Sequence, residues 1–192
     1  MAALIPNTKE TNEMKKLVSS ILLTAALTAS AIAQTASDAA KGYFSTYQKK
    51  EYGKSAEYFH PEALDLFRQM LSFGKSLPEE KATAFYTGFF GPEATKESIE
   101  KLDNQAYFSQ FIGSIMKRIL EPANVEYGKV EVLGEVKEGE VTHVLVRLHL
   151  SSNGVESQAM EVISFKQYKG EWKTLLTEKF ESIAESLQEN FR

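Results

Sequence analysis

Cysteine is absent from the 192 residues, and histidine (3), proline (5) and tryptophan (1) are sparse. Without a thiol there can be no disulfide, no thiolate nucleophile and no Cys-ligated zinc, so stability has to come from a buried core. Of the three histidines, His143 and His149 fall in one strand-like run. Their six-residue separation amounts to about 20 Å at a rise of about 3.3 Å per residue, too far to share one ion, and no metal site is expected. His60 precedes Pro61 and is expected at a helix start. No run of Lys or Arg forms a basic stripe, and the formal net charge is −4. Nucleic acid and anionic membrane surfaces are therefore not expected partners. Also missing are a Ser-His-Asp order, a phosphate-binding glycine loop and a His-Glu-X-X-His helix, and no cofactor is expected.

Nor does any apolar run suit a membrane span. The stretch from Leu17 to Leu27 is interrupted by Ser19, Ser20 and Thr24 and falls short of the roughly 20 residues a spanning helix needs. Met14-Lys15-Lys16 before it and Ala31-Ile32-Ala33 after it complete the layout of a secretory signal peptide. The expected organisation is upstream residues 1–13, a leader 14–33 cleaved after Ala33, and a single domain 34–192. No cysteine follows the apolar run to take a lipid. The expectation is thus a periplasmic or secreted product of a bacterial envelope, with no stable membrane anchor.

Apolar periodicity is plentiful. Ala36, Ala39, Ala40, Tyr43, Phe44 and Tyr47 recur at helical spacing between Thr35 and about Lys50. A short turn at Lys54 to Phe59 follows, and Pro61 opens a helix carrying Leu64, Phe67, Met70 and Leu71, with Gly74 expected to end it. Ser76-Leu77-Pro78-Glu79 reads as a capping box for a helix ending in the aromatics Phe85, Tyr86, Phe89 and Phe90. Asp103 is placed to cap a longer helix that buries Tyr107, Phe108, Phe111, Ile112, Ile115, Ile119 and Leu120, stopped by Pro122. The aromatics are expected in the core rather than in a ligand lid. Thr177 is placed to cap a terminal helix with Phe180, Ile183, Ala184, Leu187 and Phe191 on one side, packing on the domain or on a second subunit.

Between the helices lie alternating strands. Asn153-Gly154 marks a two-residue type I′ hairpin that sets Ser152 opposite Val155. Counting back, Val144, Val146, Leu148 and Leu150 share a face with Ile163, Glu161, Ala159 and Ser157. A turn at Lys169-Gly170 adds Trp172, Thr174 and Leu176 on a strand expected from Glu171 to Thr177. For the strand Val125 to Val136, a three-residue loop around Gly139 puts Val130 and Val132 on the core face. The opposite face carries His143, Leu145, Arg147 and His149 against Ser164, Val162, Met160 and Gln158. The fold class is α+β: N-terminal helices packed on a curved antiparallel sheet of about four strands, with a helical insertion and a C-terminal helix.

A tyrosine-bearing first helix, a turn ending Ala56-Glu57-Tyr58-Phe59-His60-Pro61, and long strands finishing Lys169-Gly170-Glu171-Trp172-Lys173 resemble the nuclear transport factor 2-like superfamily. The resemblance covers Ala40 to Pro61 and Val141 to Thr177. It implies a cone-shaped domain whose bent sheet wraps helices around a pocket or a filled core, and a sheet face free for association. The superfamily hosts both enzymes and non-catalytic modules, so the fold does not set the activity. The segment Phe73 to Pro122 and the terminal helix depart from the compact pattern and are placed to cover the cone mouth.

Glu161 is the only charged residue this register puts in the middle of the core face, where an unpaired carboxylate is costly. Two readings of it stand: a pocket carboxylate anchoring a ligand or acting as general base with Tyr43 or Tyr47 nearby, or a rim residue paired with a Lys or Arg. The expected ligand-binding set is Tyr43, Tyr47, Glu161 and Trp172, and the expected self-association surface is His143, Arg147, His149 and Met160. The leading expectation is a non-catalytic exported module for a small apolar ligand or a protein partner, as a homodimer. A pocket enzyme of isomerase or hydrolase type using Glu161 and a structural accessory of an envelope complex are the alternatives.

Overall fold

A computed structural model of the chain describes residues 34 to 191, so the expected leader and the upstream residues lie outside the described residues. Among the described residues no helix is long and apolar enough to cross a membrane. Helix α1 (Ala36–Gln48) starts at Thr35, whose hydroxyl accepts from the Asp38 amide at 3.1 Å while the Asp38 carboxylate accepts from the Thr35 amide at 3.2 Å. That reciprocal box satisfies amide donors left free by the first turn. The helix buries Ala36, Ala39, Ala40, Phe44 and Tyr47 and ends two residues before the expected Lys50, which adopts a φ of 58°.

A 3-10 turn (Tyr52–Tyr58) leads to helix α2 (Pro61–Met70). His60 Nδ1 accepts from the Glu62 amide at 3.2 Å, so this histidine is a helix cap. Gly74 does not end α2. It sits in a second 3-10 turn (Ser72–Ser76), where a Cβ would lie 2.6 Å from Cε1 of the buried Phe85, so the glycine is there for close approach. Ser76 does not cap the next helix either. The residue before a proline is driven to extended backbone, Leu77 has a ψ of 145°, and helix α3 (Glu79–Phe90) begins only after Pro78. Ser76 Oγ bonds back to the Phe73 carbonyl instead, at 2.9 Å.

The short helix α4 (Lys96–Glu100) is boxed by Thr95 and Ser98, and α5 (Asn104–Leu120) is capped by Asp103, whose carboxylate accepts from the Ala106 amide at 2.7 Å. Tyr107, Phe108, Phe111 and Ile112 are buried as expected, but Ile119 is 58% exposed because burial fades along the last turns of α5. Arg68 from α2 stacks on Tyr107 at 4.8 Å and donates to the Glu100 carbonyl at 2.9 Å, tying α2 to α4 and α5.

The sheet is antiparallel in the order β1 (Val125–Glu138), β2 (Val141–Ser152), β3 (Val155–Tyr168), β4 (Glu171–Thr174). The β2–β3 register matches the expectation from Asn153-Gly154 at every pair, with Val146 opposite Glu161 and Arg147 opposite Met160. Val130 and Val132 do lie opposite Leu148 and Val146, but not by way of a three-residue loop. The turn has two residues, Gly139-Glu140, and the register shift is made by a bulge between Val132 and Gly134. Such bulges bend the strand that carries them, and β1 has another between Tyr127 and Val130. Strand β4 stops at Thr174 rather than Thr177. There the backbone bridges to Phe59 and the Thr174 carbonyl accepts from the His60 amide at 2.8 Å, turning Leu176 out of the ladder.

Two cores result. Helix α1 packs Ala36, Ala39, Ala40 and Phe44 on Val144, Val146, Leu148, Ile163 and Phe165 of the sheet. The other core is helical and dominated by Phe67, Phe85, Tyr86, Tyr107, Phe108 and Phe111. Helix α6 (Glu178–Phe191) closes this second core on the domain itself: Phe180 meets Phe59, Phe67 and Phe108, and Phe191 meets Phe85 and Phe89 at ring distances of 5.5 to 5.9 Å. Aromatics at helical spacing are thus core. Tyr43 and Tyr127 touch both cores.

Candidate functional site

Where the two cores meet, they leave a cavity of about 190 Å³. Its walls are α1 (Tyr43, Phe44, Tyr47), the chain at Phe59, Met116 of α5, Tyr127 of β1, Glu161 and Ile163 of β3, and the start of α6. The location follows from the sequence periods. Tyr43 and Tyr47 are four residues apart on one face of α1, and Glu161 and Ile163 are two apart on the inner face of β3, so helix and strand present both pairs to the same space.

The tyrosines form a connected set. The hydroxyls of Tyr43 and Tyr47 are 3.1 Å apart, and the Tyr47 ring lies 5.2 Å from that of Tyr127. Burial pushes the Tyr43 hydroxyl well above the usual phenol range, with the neighbouring Tyr47 adding to it, and raises Tyr47 as well. Burial, then Tyr47 and Glu161, push Tyr127 up to about 12. At neutral pH these phenols are uncharged hydrogen-bonding groups with apolar faces, unsuited to act as bases.

Glu161 lies at the mouth. Lys179, in the first turn of α6, donates to both carboxylate oxygens at 2.6 Å. The Glu161 side chain is 30% exposed and that of Lys179 is 69% exposed. The carboxylate therefore lines the cavity and is also paired with a lysine at its rim. Tyr43, Tyr47 and Glu161 come together as expected, and Trp172 does not join them. It stands opposite Gln167 at the far end of the sheet, beside a separate polar hollow with Lys137, Glu140 and Lys166.

Sequence reasoning overlooked Lys179, Phe59, Met116 and Tyr127. Lys179 is 18 residues from Glu161, and only the path of the chain from β4 into α6 brings them together. Tyr127 falls just before a bulge, where alternation no longer tells which way a side chain points.

On the outer sheet face, Glu131 gathers Lys129 at 2.6 Å, Arg147 at 3.2 Å and His149 at 3.4 Å. The hydrogen bond from Lys129, with His149 and Arg147 close by, holds the Glu131 carboxyl down to about 2. His143 is bound separately, between Ser164 Oγ at 2.9 Å and the Glu138 carboxylate at 3.2 Å. Met160 and Val162 on the same face are 58% and 55% exposed. Among the described residues no three His, Asp or Glu side chains are grouped to hold a metal ion.

No known family model matches the chain, and a comparison with curated proteins finds no match. The resemblance to the nuclear transport factor 2-like superfamily accordingly rests on the residues quoted for it.

Proposed function

We propose that residues 34–192 are a non-catalytic binding module of the bacterial envelope, exported by the leader 14–33, that takes a small ligand in the tyrosine-walled cavity. The observation that carries this reading is the cavity itself: largely apolar walls with a few convergent polar groups, Tyr43, Tyr47 and Glu161, at the junction of two cores. That combination is the usual make-up of a ligand site. At about 190 Å³ it is smaller than the about 300 Å³ of pockets for larger molecules. It matches a single ring or a short branched chain, since an apolar cavity of about 150 Å³ accommodates benzene.

Binding is favoured over acid/base work by the surroundings of Glu161, because among the described residues the cavity lining holds no histidine and no second carboxylate, and its phenols Tyr43, Tyr47 and Tyr127 are held neutral by burial. A purely structural accessory has no use for the void. Saturation-transfer NMR on the full chain, with a set of neutral, cationic and anionic molecules of about six to twelve heavy atoms, tests the reading. At least one should receive transfer that is abolished in Ile183→Trp, which places a bulky ring at the rim. No transfer from any of them, or transfer untouched by that substitution, refutes it.

A second copy of the chain on the outer sheet face is the companion proposal. Exposed Met160 and Val162 beside charges already paired within the face supply an apolar strip with little net charge, suited to an identical face. Light scattering after size exclusion should give twice the protomer mass, and a monomer at high concentration sinks it.

A further inference from the structure

Two charged groups line the cavity, Glu161 and Lys179, paired with each other, and the way each is held says which ligands suit the site. Glu161 stands on a strand, paired through the backbone at Val146, with its side chain more than half withdrawn from water. Its counter-ion is the opposite kind of partner: Lys179 reaches in from the first turn of α6 on a long side chain that is mostly solvated. A lysine in a first turn also sits against the helix dipole. Of the two, the lysine is the one that leaves at little cost, because an ammonium swinging into water recovers its hydration whereas a half-buried carboxylate on a rigid strand cannot follow.

Once Lys179 has moved aside, what faces the cavity is a carboxylate among the rings of Tyr43, Phe44, Tyr47, Phe59 and Tyr127. Aromatic faces carry negative quadrupole potential and attract cations. An anion would meet that same potential together with Glu161, and would have to expel the carboxylate rather than the lysine.

We infer that the ligand is a small organic cation, an alkyl- or arylammonium, whose charged head takes the place beside Glu161 that the Lys179 ammonium occupies, with its apolar groups against the aromatic wall. Lys179 is then a tethered competitor that fills the anionic position when the site is empty. This rests on the cavity being a ligand site, and goes beyond it in naming the charge, the shape and the displaced group.

Three probes of similar shape separate the possibilities: tetramethylammonium, tert-butanol and pivalate, titrated into the full chain with NMR shifts followed at Ile163 and Met116. Tetramethylammonium should bind most tightly. Lys179→Ala should tighten it by up to about fivefold, the strength of an exposed ion pair that no longer has to be broken. Glu161→Gln, at a partly exposed position that keeps the side-chain shape, should weaken it by about tenfold or more. If tert-butanol or pivalate binds better, or Lys179→Ala weakens the ammonium, the cation assignment is overturned while the cavity remains a ligand site. If none of the three shifts any resonance at the cavity, the ligand-site reading fails with it.

Discussion

Replacing Tyr43 by phenylalanine removes one oxygen from the cavity wall and leaves the ring packing alone. The lost oxygen is 3.1 Å from the Tyr47 hydroxyl, so Tyr43→Phe strands a polar group in a 7% exposed residue. A net hydrogen bond is worth about 1 kcal/mol, and an abandoned buried partner costs about 1 to 3 kcal/mol. Tyr43→Phe and Tyr47→Phe should therefore each destabilise the domain by about 1.5 kcal/mol, a Tm loss of about 3 to 6 °C for a domain of this size. The double variant leaves neither hydroxyl behind. It should cost about 1 to 1.5 kcal/mol rather than the about 3 kcal/mol of two independent losses, giving a coupling of about 1.5 to 2 kcal/mol. Guanidinium denaturation of the four proteins at pH 7, with m-values compared, measures the cycle. Additivity within about 0.5 kcal/mol would refute the claim that the two phenols satisfy each other.

Two glycines should answer oppositely to alanine. Gly74→Ala drives a Cβ to 2.6 Å from the buried Phe85 ring and should cost about 1 to 3 kcal/mol, whereas Gly88→Ala, with nothing within 4 Å in mid-α3, should gain about 0.5 to 1 kcal/mol by thermal melting. Deleting Leu133 removes the extra residue of the β1 bulge and leaves Gly134 and Val132 paired with Leu145 and Val146; the protein should still fold, by circular dichroism. Deleting Leu145 instead reverses the facing of one part of β2, and that variant should not fold. The acid limb of stability should depend on Glu131. Its folded pKa of about 2 lies below the about 4.3 of an unfolded glutamate, so its contribution is complete above about pH 4.3 and lost as pH falls towards 2. The stability gap between the wild type and Glu131→Gln should accordingly close over that window in urea titrations. A gap unchanged down to pH 2 contradicts the assignment.

Much of the sheet was legible because hairpin chemistry is local. Asn153-Gly154 and Lys169-Gly170 adopt positive φ at both turn residues, and from the first of them the β2–β3 register follows by counting. The β1 register was right in its middle for a reason the pattern could not reveal, since a loop and a bulge shift an alternation identically. The cap at Asp103 needed only nearest neighbours, whereas Ser76 misled because Leu77, constrained by Pro78, carries the chain away from the helix it was expected to cap.

The sequence by itself determined the α+β class, the inner face of the hairpin and the placing of Glu161 opposite Val146, because each depends on periods of 2 and 3.6 and on turn residues a few positions apart. Tertiary structure alone decided that Lys179 meets Glu161, that Phe180 and Phe191 close the helical core, and that Trp172 stands apart from Tyr43 and Tyr47. Those relations join segments remote in the chain through the packing of rings and the bending of one bulged strand. No local pattern carries them, and the cavity is the space they leave.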